Sequence, residues 1–108
     1  MAQWDVYVNP SPRARDDLPF VIDVQSDLLS GLATRLVLPF APAPAGTPLP
    51  PGLPRRMSPR FDIAGHEVQL VPTEAGTVDA SLLKRRVVSL RPEAHRIVDA
   101  YDAVISGV

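Results

Sequence analysis

The chain is predicted to be mainly β with one C-terminal α-helix, a small, strongly bent sheet or barrel followed by a single amphipathic element. Three observations carry this expectation. The first forty residues hold three apolar, strand-like runs joined by polar turns, the pattern of an antiparallel sheet. Two further runs flank Ala64-Gly65-His66, where Gly65 can take a positive φ, and together they read as a hairpin. From Ala94 onward the apolar spacing changes from two to a helical i, i+3, i+4, i+7 pattern.

In order, Gln3–Val8 (QWDVYV) alternates, with Trp4, Val6 and Val8 in opposite phase to Asp5 and Tyr7. Pro19–Val24 (PFVIDV) follows the turn-like segment NPSPRARDDL and is rich in β-branched residues. Thr34–Phe40 (TRLVLPF) is a third strand, which Pro39 should confine to an edge or a strand end. Ala41–Pro54 (APAPAGTPLPPGLP) contains six of the 13 prolines, and reads as an extended surface loop. Arg60–Ile63 and Glu67–Val71 form the hairpin arms. Ser81–Leu83 with Arg86–Val88 add one more strand-like stretch, with helix competing over Leu82–Arg86. Pro92 suits the first helical position and Glu93 the positive end of the helix dipole. Ala94, Ile97, Val98, Tyr101, Val104 and Ile105 form a stripe about 120° wide, expected to pack. His95, Arg96, Asp99, Asp102 and Ser106 lie opposite, and Gly107 stops the helix.

Composition narrows function by exclusion. At 108 residues the chain suits one domain, which at this size buries roughly 65% of its unfolded surface. It has no cysteine, so disulfides, thiolate metal sites and thiol catalysis are excluded. Eleven basic against 12 acidic residues leave a net charge of −1, and no whole-molecule field favours nucleic acid or membranes. The start MAQWDVYV lacks a signal peptide's basic and apolar regions, and Leu36–Ala45 is too short to span a bilayer. A cytoplasmic protein is expected.

No catalytic constellation stands out. His66 and His95 are not at metal-ligand spacing and read as a hairpin residue and a solvated helix residue. Asp16-Asp17 reads as a charged turn. The glycines Gly31, Gly46, Gly52, Gly65, Gly76 and Gly107 form no phosphate-cradling loop, and Ser26 lacks a nucleophile elbow. Arg55-Arg56 with Arg60, and Lys84-Arg85-Arg86, could touch phosphates but lack interleaved aromatics, and solvated surface is the plainer reading.

Phe20–Leu29 reads FVIDVQSDLL and is far less generic than its neighbours. It resembles the strand and turn of the CcdB toxins, whose pattern is a hydrophobic strand, then D-V-Q-S-D, then two bulky aliphatic residues. The surroundings agree in order. WDVYVNP resembles that family's first strand, TRLVLPF its R-(L/M)-V-(I/V)-P strand, and FDIAGHEVQLVPTEAGTVDASLLKRRVVSL its later strands and glycine turn. IVDAYDAVISGV resembles its C-terminal helix, ending in glycine and an aliphatic residue. Two departures stand out. The proline-rich stretch replaces a differently composed connection, and the Trp-Gly-Ile terminus of plasmid-borne members is here Ser106, Gly107 and Val108.

The resemblance implies one domain over residues 1–108, an SH3-like barrel with a small extra sheet, and a homodimer with the helix near its two-fold axis. It implies a toxin that traps the DNA gyrase A subunit on cleaved DNA, performs no chemistry and needs no cofactor. A labile CcdA-like antitoxin would neutralise it, and operator DNA would be reached only through that complex. Carried over residue by residue, the gyrase-binding set is Leu28, Leu29, Asp102, Ile105, Ser106, Gly107 and Val108. Ordinary core packing is the competing expectation for Leu28, Leu29 and Ile105, and a plain helix stop for Gly107. Two other functions compete. One is an endoribonuclease of similar barrel architecture, with Arg13, Arg15, Arg55 and Arg56 as its only candidates. The other is a non-toxic member that binds antitoxin and acts in operator autoregulation.

Overall fold

Seven strands and one long helix account for most of the regular structure in the computed structural model, which describes residues 2–44 and 53–107. The strands are β1 (Asp5–Val8), β2 (Phe20–Asp23), β3 (Thr34–Pro42), β4 (Arg60–Ile63), β5 (His66–Leu70), β6 (Gly76–Asp79) and β7 (Arg86–Ser89), followed by α1 (Ala94–Ser106). All pairings are antiparallel, in the order β4-β5-β3-β2-β1-β7, with β6 also on β3. The sheet curls into a half-barrel carrying the C-terminal helix.

β3 is the spine, and it forks. One edge pairs with β2 from Val37 to Phe40. The other pairs first with β6 (Thr34↔Asp79 to Val37↔Gly76) and then with β5 (Phe40↔Leu70 to Pro42↔Val68). Pro39 therefore sits inside the most heavily paired strand, not at an edge or end. The fork explains why this is tolerated. The Pro39 carbonyl accepts from Val71 N (2.9 Å), so its missing N–H faces the same side, in the gap between β6 and β5.

The strand also continues into the proline-rich stretch, contrary to the expectation of a loop from Ala41. Ala41 and Pro42 pair with Gln69 and Val68, and Ala43 is fully buried with its N–H on Glu67 O (2.9 Å). Since Ala43 faces β5, alternation turns Pro42 and Pro44 toward the edge beyond the end of β2, where no donor is needed. Residues 45–52 of the expected loop lie outside the described residues.

The period-two reading of β1 holds face by face. Val6 joins Phe20, Ile22, Leu38, Phe40, Ile63, Leu70, Ile97 and Ala100 in the main core, with Trp4 and Val8 packed against it. Tyr7 joins Val21, Val37 and Leu83 in a second cluster on the opposite face, with Val78 alongside. The central strands are thus buried on both sides, and each side chain removed from water contributes about 1.5–3 kcal/mol. Regular pairing starts at Asp5 rather than Gln3, because Trp4 adopts φ +76°. β6 was not anticipated. Its sequence GTVD is short and half-polar, and it pairs because the spine offers a free edge. Ala80–Leu82 is a 3₁₀ turn and the last strand begins only at Arg86, with Val87 as the extra residue of a bulge.

The helix stripe is rotated from its expected position. Ile97, Ala100 and Ala103 are buried, whereas Val98 and Ile105 are exposed. Small alanines permit close approach to the sheet, so the buried face centres on them. Pro92 lies in a 3₁₀ turn (Arg91–Glu93) that leads into the helix. At the far end Gly107 takes φ +75° and donates its N–H to Ala103 O (2.9 Å), the left-handed cap expected of glycine.

Two outcomes follow. The β4–β5 turn places Ala64 at φ +52° beside Gly65 at φ +82°, a conformation that strains alanine and that asparagine tolerates better. Ala64→Asn is expected to raise stability by about 1 kcal/mol in a denaturant melt, and no gain would contradict the turn assignment. Burial, then the charges of Asp5 and Asp23, push the Tyr7 phenol above its ordinary value of 10.0. The folded state therefore holds that proton more tightly, and stability present below pH 10 is lost as pH rises through the unfolded and then the folded value. Tyr7→Phe is expected to flatten the alkaline limb of the stability–pH curve, and an unchanged limb would contradict it.

Candidate functional site

The D-V-Q-S-D run is a set of anchors, each with a separate partner. Asp23 is fully buried, and its Oδ2 receives both Nε and Nη2 of Arg35 at 2.8 Å; Arg35 itself is 2% exposed. Asp23 Oδ1 accepts from Gln25 N (3.0 Å). The buried Gln25 side chain then spans the loop, with Oε1 accepting from Leu36 N and Nε2 donating to Leu29 O, both 3.0 Å. Ser26 Oγ accepts from Leu28 N (3.2 Å) and caps the 3₁₀ turn Asp27–Leu29. Asp27 Oδ1 accepts from Gln3 N (3.0 Å).

These anchors hold the loop backbone so that its aliphatic side chains stand in water. Leu28 is 94% and Leu29 50% exposed, so the core-packing expectation for both is overturned. With all anchoring bonds made by Asp23, Gln25, Ser26 and Asp27, no apolar contact is needed to order the turn. Large exposed apolar groups on an ordered loop mark an interaction surface more often than a packing failure.

The second patch is the end of α1. Asp102 and Ile105 line a groove with Gln3, Trp4, Val24, Leu36, Ile97, Val98 and Tyr101. Ile105 is 70% exposed, which overturns core packing there as well. Ser106 is exposed and its Oγ donates to Asp102 O (2.7 Å), while Gly107 forms the left-handed cap already described. Val108 lies outside the described residues.

The two patches are joined by the N-terminal turn. Gln3 and Trp4 line the groove of the helix end, while Gln3 N is bonded to Asp27 beside Leu28. Sequence reasoning missed this turn. Its one available signal was a lone tryptophan, which the alternation placed inside the first strand in phase with Val6 and Val8.

Of the remaining candidates, Arg13, Arg55, Arg56, Lys84 and Arg85 are exposed, while others serve the framework. Arg86 pairs with Asp5 (3.2 Å), and Arg15 Nε donates to Asn9 O (3.0 Å). Arg96 bonds Glu93 (2.8 Å) and Arg60 O (2.6 Å) and lies 4.2 Å over the Phe61 ring. His66 packs on Phe20 with ring centroids 5.9 Å apart, and His95 is exposed on the helix. Among the described residues no group of three or more His, Cys, Asp or Glu is placed to hold a metal ion. No helix among them is long and apolar enough to cross a membrane.

No curated protein matches this chain. The family model described as CcdB protein does match it, over residues 3–107. That span takes in the Asp23–Arg35 anchor, the displayed leucines, the N-terminal turn and the capped helix end. The chain thus belongs to the CcdB family, the toxins of toxin–antitoxin systems.

Proposed function

We propose that this protein is a gyrase poison that acts by docking, without chemistry of its own. The observation that carries the reading is the pair of leucines held in solvent by a loop anchored through Asp23, Gln25, Ser26 and Asp27, beside an apolar groove that ends at Ile105. Family membership supports the gyrase A subunit, trapped on cleaved DNA, as the target. The protein is read as a cytoplasmic homodimer, because closed two-fold pairing presents two copies of one surface to a two-fold partner. A CcdA-like antitoxin neutralises it, and operator DNA is reached through that complex.

In this reading Leu28, Leu29 and Ile105 are the apolar contacts, and Asp102 and Ser106 are polar groups at the rim. Gly107 and Val108 form the end that approaches the partner. The terminal tryptophan of plasmid-borne members is absent, and Trp4 and Tyr101 are the aromatic groups this groove offers in its place. Aromatic anchors of this kind dominate protein interfaces.

Leu28→Asp and Ile105→Asp are expected to stay within about 0.5 kcal/mol of wild-type stability, since both positions are exposed. Each is expected to weaken binding to a gyrase A fragment by on the order of 2 kcal/mol, about thirtyfold, and to relieve growth inhibition on induction. Ser106→Trp is expected to strengthen both. Full toxicity in the two Asp variants would overturn the surface. RNA cleavage by the purified protein, lost in Arg13→Ala or Arg55→Ala, would replace gyrase docking with an endoribonuclease.

A further inference from the structure

Trp4 holds a backbone conformation that a bulky residue rarely adopts, φ +76°, and such strain persists only where the surroundings over-determine it. Five hydrogen bonds do so here, from three separate parts of the chain. Trp4 N donates to Asp23 O (2.6 Å), and Leu90 N donates to Trp4 O (2.8 Å). Gln3 Nε2 donates to Val24 O (3.1 Å), and Arg91 Nη2 donates to Gln3 O (3.4 Å). The fifth is Gln3 N to Asp27 Oδ1 (3.0 Å). Asp27 also faces the Arg91 guanidinium, with Oδ2 and Nη2 3.8 Å apart.

We infer that Asp27 is a positioning residue: it fixes Trp4 in the docking groove by gripping Gln3 with one oxygen and steadying Arg91 with the other. This assignment rests on the docking surface proposed above. Asp27 differs in kind from the other loop anchors. Asp23 and Gln25 are buried and hold the sheet and loop together, whereas the Asp27 side chain is about half exposed and joins the loop to the turn that carries Trp4 and to Arg91. Its exposed ion pair adds little to global stability. Its effect falls on the population of one local conformation. A partner that binds only that conformation loses affinity in proportion to the fraction lost, about tenfold when one molecule in ten remains competent.

Trp4 is the only tryptophan in the chain, so native fluorescence reports this turn alone. The test compares wild type, Asp27→Asn and Asp27→Ala by tryptophan emission, thermal melting and binding to a gyrase A fragment. Asn keeps an oxygen for Gln3 N and loses the charge facing Arg91, while Ala loses both. Emission is expected to shift to longer wavelength in the order Asp, Asn, Ala, with affinity falling about tenfold in the Ala variant and the melting temperature nearly unchanged. Emission unchanged in Asp27→Ala overturns the inference, as does an emission shift with wild-type affinity, or a large loss of melting temperature. If wild type itself does not bind gyrase, the docking reading fails, and the emission series still decides whether Asp27 positions Trp4.

Discussion

A guanidinium and a carboxylate removed from water, Arg35 and Asp23, are the constraint on which the rest of this structure depends. Burying two charges is costly, and a well-packed hydrophobic pair of similar volume is often at least as stable. Breaking the pair by losing one partner leaves a lone buried charge and costs about 3–5 kcal/mol. The pair is therefore better understood through what it positions than through its net stability. Asp23 ends β2 and Arg35 is the second residue of β3, so their bond closes the loop between two paired strands. The oxygen that Arg35 leaves free receives Gln25 N, and Gln25 in turn reaches both Leu36 and Leu29. A chain of polar contacts runs from the sheet interior to the backbone of an exposed turn.

The two-sided burial of the central strands makes this possible. Tyr7, Val21, Val37 and Leu83 cover the face opposite the helix, and the ion pair lies at the end of that layer, away from water. The forked spine supplies the second requirement. β6 pairs with the first half of β3, including Arg35↔Val78, and so covers the segment that would otherwise be an open edge. Three elements distant in sequence then meet around one surface. They are the loop after β2, the strained turn before β1 and the last turns of α1. Leu28, Leu29, Val98 and Ile105 are the large apolar side chains left exposed on this surface. This surface is built from apolar side chains on a polar frame.

Much of this was legible in the residues, for identifiable reasons. Strands β1 to β5 announce themselves through alternation and a glycine turn, and α1 through its spacing, because both signals are local. DVQSDLL points to the family because each of its polar residues has a separate partner to satisfy. What was not legible depended on tertiary geometry. Pro39 read as the mark of an edge strand or a strand end, and only the fork shows where its missing donor falls. Val98 and Ile105 fitted an apolar stripe, yet the alanines decide which face packs. β6 carries too little apolar sequence to be seen without the edge it joins. The role of Trp4 was hidden for a further reason, since no local pattern encodes a left-handed tryptophan held by Asp23, Leu90 and the loop.

The Asp23–Arg35 pair exists to order the loop displaying Leu28 and Leu29. Amide hydrogen exchange tests it directly in the double variant Asp23→Leu/Arg35→Met, which removes both charges and leaves neither stranded. The sheet amides of Val6, Ile22 and Leu38 are expected to keep their protection. The amides of Ser30, Leu32 and Leu36 are expected to exchange faster than in wild type, as the loop and its Gln25 bridge come loose. Loop amides exchanging at wild-type rates in a folded double variant would contradict the claim.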